Sequence, residues 1–301
     1  MLDVALLGTS GMMPLPNRFL TSLMLRLNGR FMLIDCGEGT QISMKLLGWG
    51  FKNVDVICFT HVHADHIAGL PGLLLSIGNS GRIEDLTIIG PAKIKNVVKN
   101  LCVIAPEIPF HIDFIELKDK TENISVSCYS INALPVSHNI PCFGYSINVL
   151  RGGKFIPEKA EELKIPKKYW SMLQRYEDVL IDGKLYTSDM VLGGDRKGIK
   201  VSYITDTRPI DTIIDFIKGS DLFIAEGIYG EDDKLNKAIE YKHMLVSEAC
   251  GLAKRANVKE LWLTHFSPSM TDPEEYSDFA NKIFPNTVMG YDRINKTISF
   301  E

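Results

Sequence analysis

Nowhere in this chain does an apolar run approach the roughly 20 residues that a membrane-spanning helix needs, so no membrane partner is expected. Cysteine is scarce and unpaired. The six present, at positions 36, 58, 102, 128, 142 and 250, show no paired spacing. Several fall in apolar runs where a thiol packs as a small hydrophobe, which fits a reducing compartment better than a disulfide framework. A basic leader is missing too: Met1-Leu2-Asp3-Val4 has no basic side chain, and Gly8, Gly11, Pro14 and Pro16 interrupt the first apolar stretch, so a cytoplasmic protein is expected. A strong charge of one sign is also lacking. With a net −4 over 301 residues, any polyanion would have to be met by a local patch and by bound metals. No short tandem repeat occurs. Hydrophobic residues make up 45% of the chain and are spread evenly, which predicts a single domain over residues 1–301.

Against these absences stands one dense stretch. His61, His63, Asp65 and His66 put four metal-binding side chains into six residues of a chain that has seven histidines. The apolar run 54–59 before them reads as a buried strand that ends where the polar cluster begins. In extended or turn backbone His61 and His63 point the same way, while the adjacent Asp65 and His66 serve a second point in space. That spacing suggests two metals. Imidazole and carboxylate ligands suit zinc, with manganese or iron as candidates, and the cluster has no cysteine of a closed structural site.

Strands are predicted over 4–7, 20–27 and 31–34, then a short helix reaching about Leu47. Asp35, at the end of the third strand, is placed to orient a ligand histidine through its other ring nitrogen. A helix over 67–77, a strand over 86–89, a helix over 92–101 and strands over 111–117, 124–132 and 143–150 continue a mixed α and β rhythm. His138 lies between the last two, and His111 reads as structural. Residues 151–200 differ in character, with 11 Lys and Arg against 8 Asp and Glu. This is a basic insert on an acidic body. Within it Lys164, Lys167, Lys168 and Arg175 interleave with Tyr169 and Trp170, a mixture that can neutralise phosphates and stack on unpaired bases. Further on, apolar strands end at Asp206, Glu226 and His265, and helices are expected over 209–217, 244–255 and 273–283. Asp206 and His265 each stand one step beyond an apolar run, as His61 does, which would collect them along one edge of the sheets.

The candidate ligands are then His61, His63, Asp65, His66, His138, Asp206 and His265. A natural division sets His61, His63 and His138 on one ion and Asp65, His66 and His265 on the other, with the Asp206 carboxylate bridging. Two divalent ions facing two carboxylates keep a positive surplus that favours an anionic substrate. Phosphodiester hydrolysis by a metal-activated hydroxide suits this arrangement best. The leaving oxygen also needs a proton, and His243 held in its charged form by Glu226 is the candidate donor. A di-iron redox protein would tend to carry a carboxylate at position 63, and an amide hydrolase would need neither the basic insert nor the Glu226 and His243 pair. A non-catalytic RNA-binding scaffold would be expected to have lost a ligand.

The stretch Thr60 to Gly72, with Asp35-Cys36-Gly37-Glu38-Gly39-Thr40-Gln41 and Asp206-Thr207-Arg208-Pro209, resembles ribonuclease Z of the metallo-β-lactamase superfamily. The likeness runs through nearly the whole chain. His138 and Thr264-His265-Phe266-Ser267 fall where that family keeps its remaining ligands, and Glu226 and His243 fall at its proton-donor pair. The resemblance implies a mixed α/β fold, a four-layer αββα sandwich with two zinc ions, acting on precursor tRNA to remove the 3′ trailer. It implies that Asp65 is also the proton acceptor, and that the 151–200 insert is an arm that grips tRNA, each subunit of a homodimer serving the other. Arg18, Lys167, Lys168, Tyr169, Trp170 and Arg175 are the substrate-binding residues it suggests. Departures lie away from the ligands: Lys167 and Lys168 replace a usual Gly-Pro pair, Phe19 a usual Asn, Met244 and Leu245 a usual Ser-Thr, and Ser269 an Arg. Another RNA or a smaller phosphodiester is the alternative substrate.

Overall fold

A computed structural model describes residues 1–105, 107–194 and 196–301. They form two units, residues 1–148 with 200–299 and residues 149–199 with 300–301. In chain order the strands are β1 (Leu2–Gly8), β2 (Ser22–Leu27), β3 (Arg30–Ile34), β4 (Val54–Cys58), β5 (Leu86–Pro91), β6 (Ile112–Leu117), β7 (Glu122–Val126), β8 (Tyr129–Val136) and β9 (Cys142–Arg151). There follow β10 (Val179–Ile181), β11 (Lys184–Tyr186), β12 (Arg196–Ile204), β13 (Leu222–Glu226), β14 (Leu261–Thr264), β15 (Thr287–Met289) and β16 (Asn295–Ile298). Two seven-stranded sheets result, ordered β16-β1-β2-β3-β4-β5-β6 and β15-β14-β13-β12-β9-β8-β7.

Residues of β3 to β6 pair in parallel, as do those of β12 to β15. Parallel strands covered on both faces need continuous apolar runs, and every residue of β4, β13 and β14 is buried. Met44, Leu73, Leu74, Ile77 and Val98, from helices Thr40–Leu47, Leu70–Asn79 and Ile94–Leu101, pack on Leu33, Ile57 and Ile88 of the first sheet. Ile213, Ile217, Ala249, Leu252 and Ala280, from helices Asp211–Ile217, Val246–Arg255 and Ser277–Ile283, cover the second. The sheets meet on their other faces. There the Tyr145 hydroxyl of β9 donates to the Phe59 carbonyl at 2.7 Å, and Tyr129 of β8 donates to the Arg30 carbonyl at 2.7 Å. The layers are α, β, β and α, as the family resemblance implied.

Three local expectations are corrected. The predicted strand over 124–132 is two strands, β7 and β8, joined by a turn at Ser127, whose backbone is left-handed at φ 52°. The predicted helix over 67–77 is broken at Gly69 into Ala64–Ile67 and Leu70–Asn79. A Cβ on Gly69 would stand 2.2 Å from the Gly37 carbonyl oxygen, so the break is where this backbone is pressed against the loop after β3. The His111 ring is exposed and faces Asp113 at 3.4 Å, so among the described residues it packs in no core, and the structural part of His111 is its carbonyl, which accepts from the Leu86 N–H at 3.0 Å. Among the described residues no helix is long and apolar enough to cross a membrane.

The smaller unit has a core of its own, built from Ala160, Ile165, Leu173, Val179, Tyr186 and Val191. Short helices Pro157–Glu162 and Trp170–Gln174 and the β10–β11 hairpin supply it. Trp170 donates from Nε1 to the Ile165 carbonyl at 2.9 Å and lies 5.3 Å from the Phe155 ring, and Tyr169 also packs on the core. Lys167 and Lys168 remain exposed above these two rings.

Candidate active site

The chemistry-bearing residues sit where strands stop. Asp35 follows β3, His61 follows β4, His138 follows β8, Asp206 follows β12, Glu226 closes β13 and His265 follows β14. Three of them, Asp35, Asp206 and His265, adopt left-handed backbone with φ of 63°, 53° and 56°. Non-glycine residues rarely take that conformation, which costs of order 1–3 kcal/mol where bulky side chains adopt it and persists where the surroundings demand it. Here it turns the chain sharply at the strand end.

Two groups of donors result. His61 Nε2 lies 2.9 Å from His63 Nδ1, and His138 Nε2 lies 3.3 Å from that same His63 nitrogen. In the second group His66 Nε2 and His265 Nε2 are 3.2 Å apart, and Asp65 Oδ2 stands 3.6 and 3.4 Å from them. Asp206 reaches toward both, with Oδ1 3.9 Å from His61 Nε2 and Oδ2 3.3 Å from His66 Nε2. Ring nitrogens that crowd together in this way need a cation between them or a shared proton. Ligands held at about 2.0–2.1 Å by one tetrahedral ion stand roughly 3.3 Å apart, which these separations match. The donor set fits divalent metal: His61, His63 and His138 form one possible triad, and Asp65, His66 and His265 another.

Protonation agrees with that use. Burial lowers His61 and His63, and it lowers His138 to about 4, so these rings are neutral and keep their lone pairs. Burial also opposes charge on His66, but the Asp206 and Asp35 carboxylates outweigh it and raise this ring to about 10. A field that holds a proton so firmly also attracts a metal cation. Burial alone would raise the Asp65 carboxyl; His265 and His66 overcome it and hold the group well below the usual range.

The ligand candidates are themselves held. Asp35 faces His66 Nδ1 at 2.8 Å and accepts from the Thr60 N–H at 2.8 Å and the Thr60 hydroxyl at 2.9 Å. His138 Nδ1 lies 3.4 Å from the Lys242 carbonyl, and Lys242 Nζ donates to the His138 carbonyl at 2.9 Å. Two features were not foreseen from sequence. The Met12 N–H donates to Asp65 Oδ2 at 2.8 Å, and a Cβ on neighbouring Gly11 would stand 2.7 Å from the His265 ring. Only the broken Gly and Pro loop after β1 hinted at this role.

Beside the two groups, His243 Nδ1 lies 2.8 Å from Glu226 Oε2 and 3.7 Å from Asp206 Oδ1. Burial opposes charge on His243, yet Glu226 outweighs it and raises the ring to about 9. The other Glu226 oxygen accepts from the Thr207 N–H at 2.7 Å. A cleft of about 360 Å³ opens next to His138, lined by Asp119, Asn139, Ile140 and Phe143 among others. Of the residues expected to bind substrate, Arg18 is engaged elsewhere: it donates to the Met270 carbonyl at 2.8 Å and the Ser267 carbonyl at 3.2 Å. Arg175 pairs with Glu177 at 3.3 Å, and Tyr169 and Trp170 are partly committed to packing, which leaves Lys167 and Lys168, each over one of these rings, as the cations of that set without an ion pair among the described residues.

A family model described as anti-Pycsar protein Apyc1 matches residues 2–101. Human tRNase Z, short form, shares the fold with TM-score 0.70 at 23% identity, covering 99% of this chain and all of that one. The metallo-β-lactamase fold protein YhfI from Bacillus subtilis also has TM-score 0.70, at 20% identity over 98% of each chain. Sequence likeness is far higher elsewhere. Ribonuclease Z of Lachnospira eligens is 57% identical, and that of Lachnoclostridium phytofermentans 56%, each over the whole of this chain and 99% of the relative. Sharing more than half its residues with these relatives from end to end, and carrying the donor groups at its strand ends, the chain belongs to the ribonuclease Z family, hydrolytic endoribonucleases of the metallo-β-lactamase fold.

Proposed function

We propose that the chain removes the 3′ trailer from precursor tRNA with two zinc ions, as a cytoplasmic homodimer. The observation that carries this reading is the pairing of two donor groups, joined at Asp206, with a further imidazole, His243, 3.7 Å from Asp206 and held by Glu226 at 2.8 Å. His61, His63 and His138 would hold one ion, and Asp65, His66 and His265 the other, with Asp206 between them. Ions bound there would supply Lewis-acid polarisation of the scissile phosphate and acidify water.

The remaining work falls to protein groups. Asp65, held by the Met12 amide and kept ionised, accepts the proton that the attacking water gives up. His243 donates from Nε2 to the leaving oxygen, because Glu226 occupies its Nδ1 side. The exposed Lys167 and Lys168 of the smaller unit meet RNA phosphates, while Tyr169 and Trp170 chiefly support them from beneath.

The test is cleavage of a 3′-extended precursor tRNA by the zinc-loaded protein, beside bis(4-nitrophenyl) phosphate and a His63→Ala control. The expected result is a metal-dependent cut at the end of the mature tRNA, lost in His63→Ala. Turnover of the small diester without RNA cleavage would keep the hydrolase and discard the substrate.

A further inference from the structure

The tripeptide Asp206-Thr207-Arg208 does three separate things at the site. Asp206 reaches into both donor groups, and the Thr207 N–H holds Glu226. Arg208 leads away from the ligands, toward the chain that carries His243. Its Nη1 donates to the His243 backbone carbonyl and, at 2.9 Å, to Glu248 Oε2; its Nη2 donates to Glu248 Oε1. Glu248 in turn accepts from the Leu245 N–H at 2.9 Å, so the carboxylate clasps the chain just beyond His243. The Arg208 N–H also donates to the Ser137 carbonyl, beside His138.

The fork grips a stretch that is not itself a regular element. Lys242 has left-handed backbone at φ 57°, and the helix Val246–Arg255 begins only three residues past His243. The stretch is tied on one side by the His243 N–H to the Ala238 carbonyl at 2.8 Å and beyond it by the Ile228 N–H to the Met244 carbonyl at 3.2 Å, and Arg208 holds the His243 carbonyl between these two ties. We propose that Arg208 is a positioning residue for the proton donor: by holding the His243 carbonyl it sets the ring over Asp206 and the scissile phosphate. Arg208 is suited to this because a guanidinium can hold a carbonyl and both oxygens of a carboxylate in one plane. A lysine could keep the charge but not the fork.

The inference rests on His243 being the donor, so the experiment separates the two ideas. Turnover is measured for Arg208→Ala, His243→Ala and the double variant on precursor tRNA, whose leaving group is an alkoxide, and on bis(4-nitrophenyl) phosphate, whose nitrophenolate leaves without a donated proton. Bound zinc is counted in each. Positioned proton transfer is worth about 10²–10⁴ in rate, so Arg208→Ala should lose at least about tenfold more on tRNA than on the nitrophenyl diester. The double variant should be no slower on tRNA than His243→Ala alone. Should Arg208→Ala be insoluble, Arg208→Lys is judged by the same ratio. Equal losses on both substrates, lost zinc, or losses that multiply in the double variant would overturn the positioning role. If His243→Ala itself shows no preferential loss on tRNA, the donor assignment fails instead.

Discussion

How firmly the second donor group would hold a metal should depend on a residue outside that group. Asp35 stands 2.8 Å from His66 Nδ1, on the far side of the ring from Asp65 and His265, and thereby fixes which nitrogen is left for an ion. Asp35→Asn keeps the shape and the Thr60 contacts but removes the charge. Zinc affinity of that position should fall about 10–100-fold, measured by competition with a chelator. Unchanged affinity would show that the ring needs no such partner. At this scale the sequence was informative wherever a polar residue followed an apolar run, because a strand end pins the side chain's place. His61, Asp206 and His265 were therefore readable as neighbours before any fold was known. What could not be read were contacts made by backbone. The Met12 amide on Asp65 and the Arg208 grip on a carbonyl depend on tertiary approach, which leaves no mark on residue type.

Among the elements, the loop between β1 and β2 is the one whose part in the site is easiest to miss. It has no titratable ligand, yet it closes over Asp65 and His265. Gly11 is there because the His265 ring occupies the space a side chain would need. Gly11→Ala should push that ring aside, lowering turnover on any phosphodiester by about tenfold or more and weakening zinc at the same position as Asp35→Asn. Gly11 is buried and its N–H donates to the Phe266 carbonyl at 3.0 Å, so the thermal midpoint of the zinc-free protein should fall as well. A full complement of zinc and normal turnover in Gly11→Ala would refute this. The elements misjudged from sequence have separate causes. Ser127 forms a left-handed turn without the Gly, Asn or Asp that usually announces one, so β7 and β8 read as one strand. Gly69 did announce the break before Leu70, but its reason, the Gly37 carbonyl pressed against it, lies in a distant stretch of chain.

For the larger unit as a whole, the ends of the strands divide the labour. Chemistry gathers at the C-terminal ends, whereas Asp55, at the other end of β4, ties the two sheets together. Its carboxylate accepts from Arg30 Nε at 2.6 Å, from the buried Arg82 at 3.1 Å and from the Ser127 hydroxyl at 2.7 Å. Burial would raise the Asp55 carboxyl, but Arg30, Ser127 and Arg82 outweigh it and its pKa is lowered. A group whose native pKa lies below its unfolded value stabilises the fold fully above the unfolded value, near 3.9 for Asp, and loses that contribution as pH falls through the native value. Asp55→Asn should therefore cost about 2 kcal/mol at pH 7 in denaturant unfolding of the zinc-free protein, since bonds to charged partners contribute about 1.5–3 kcal/mol. The gap between variant and parent should close as pH drops below about 4. Metal-site groups titrate alike in both proteins, so they cancel in the difference. A gap that stayed constant from pH 7 to pH 3 would mean that Asp55 acts by shape rather than by charge.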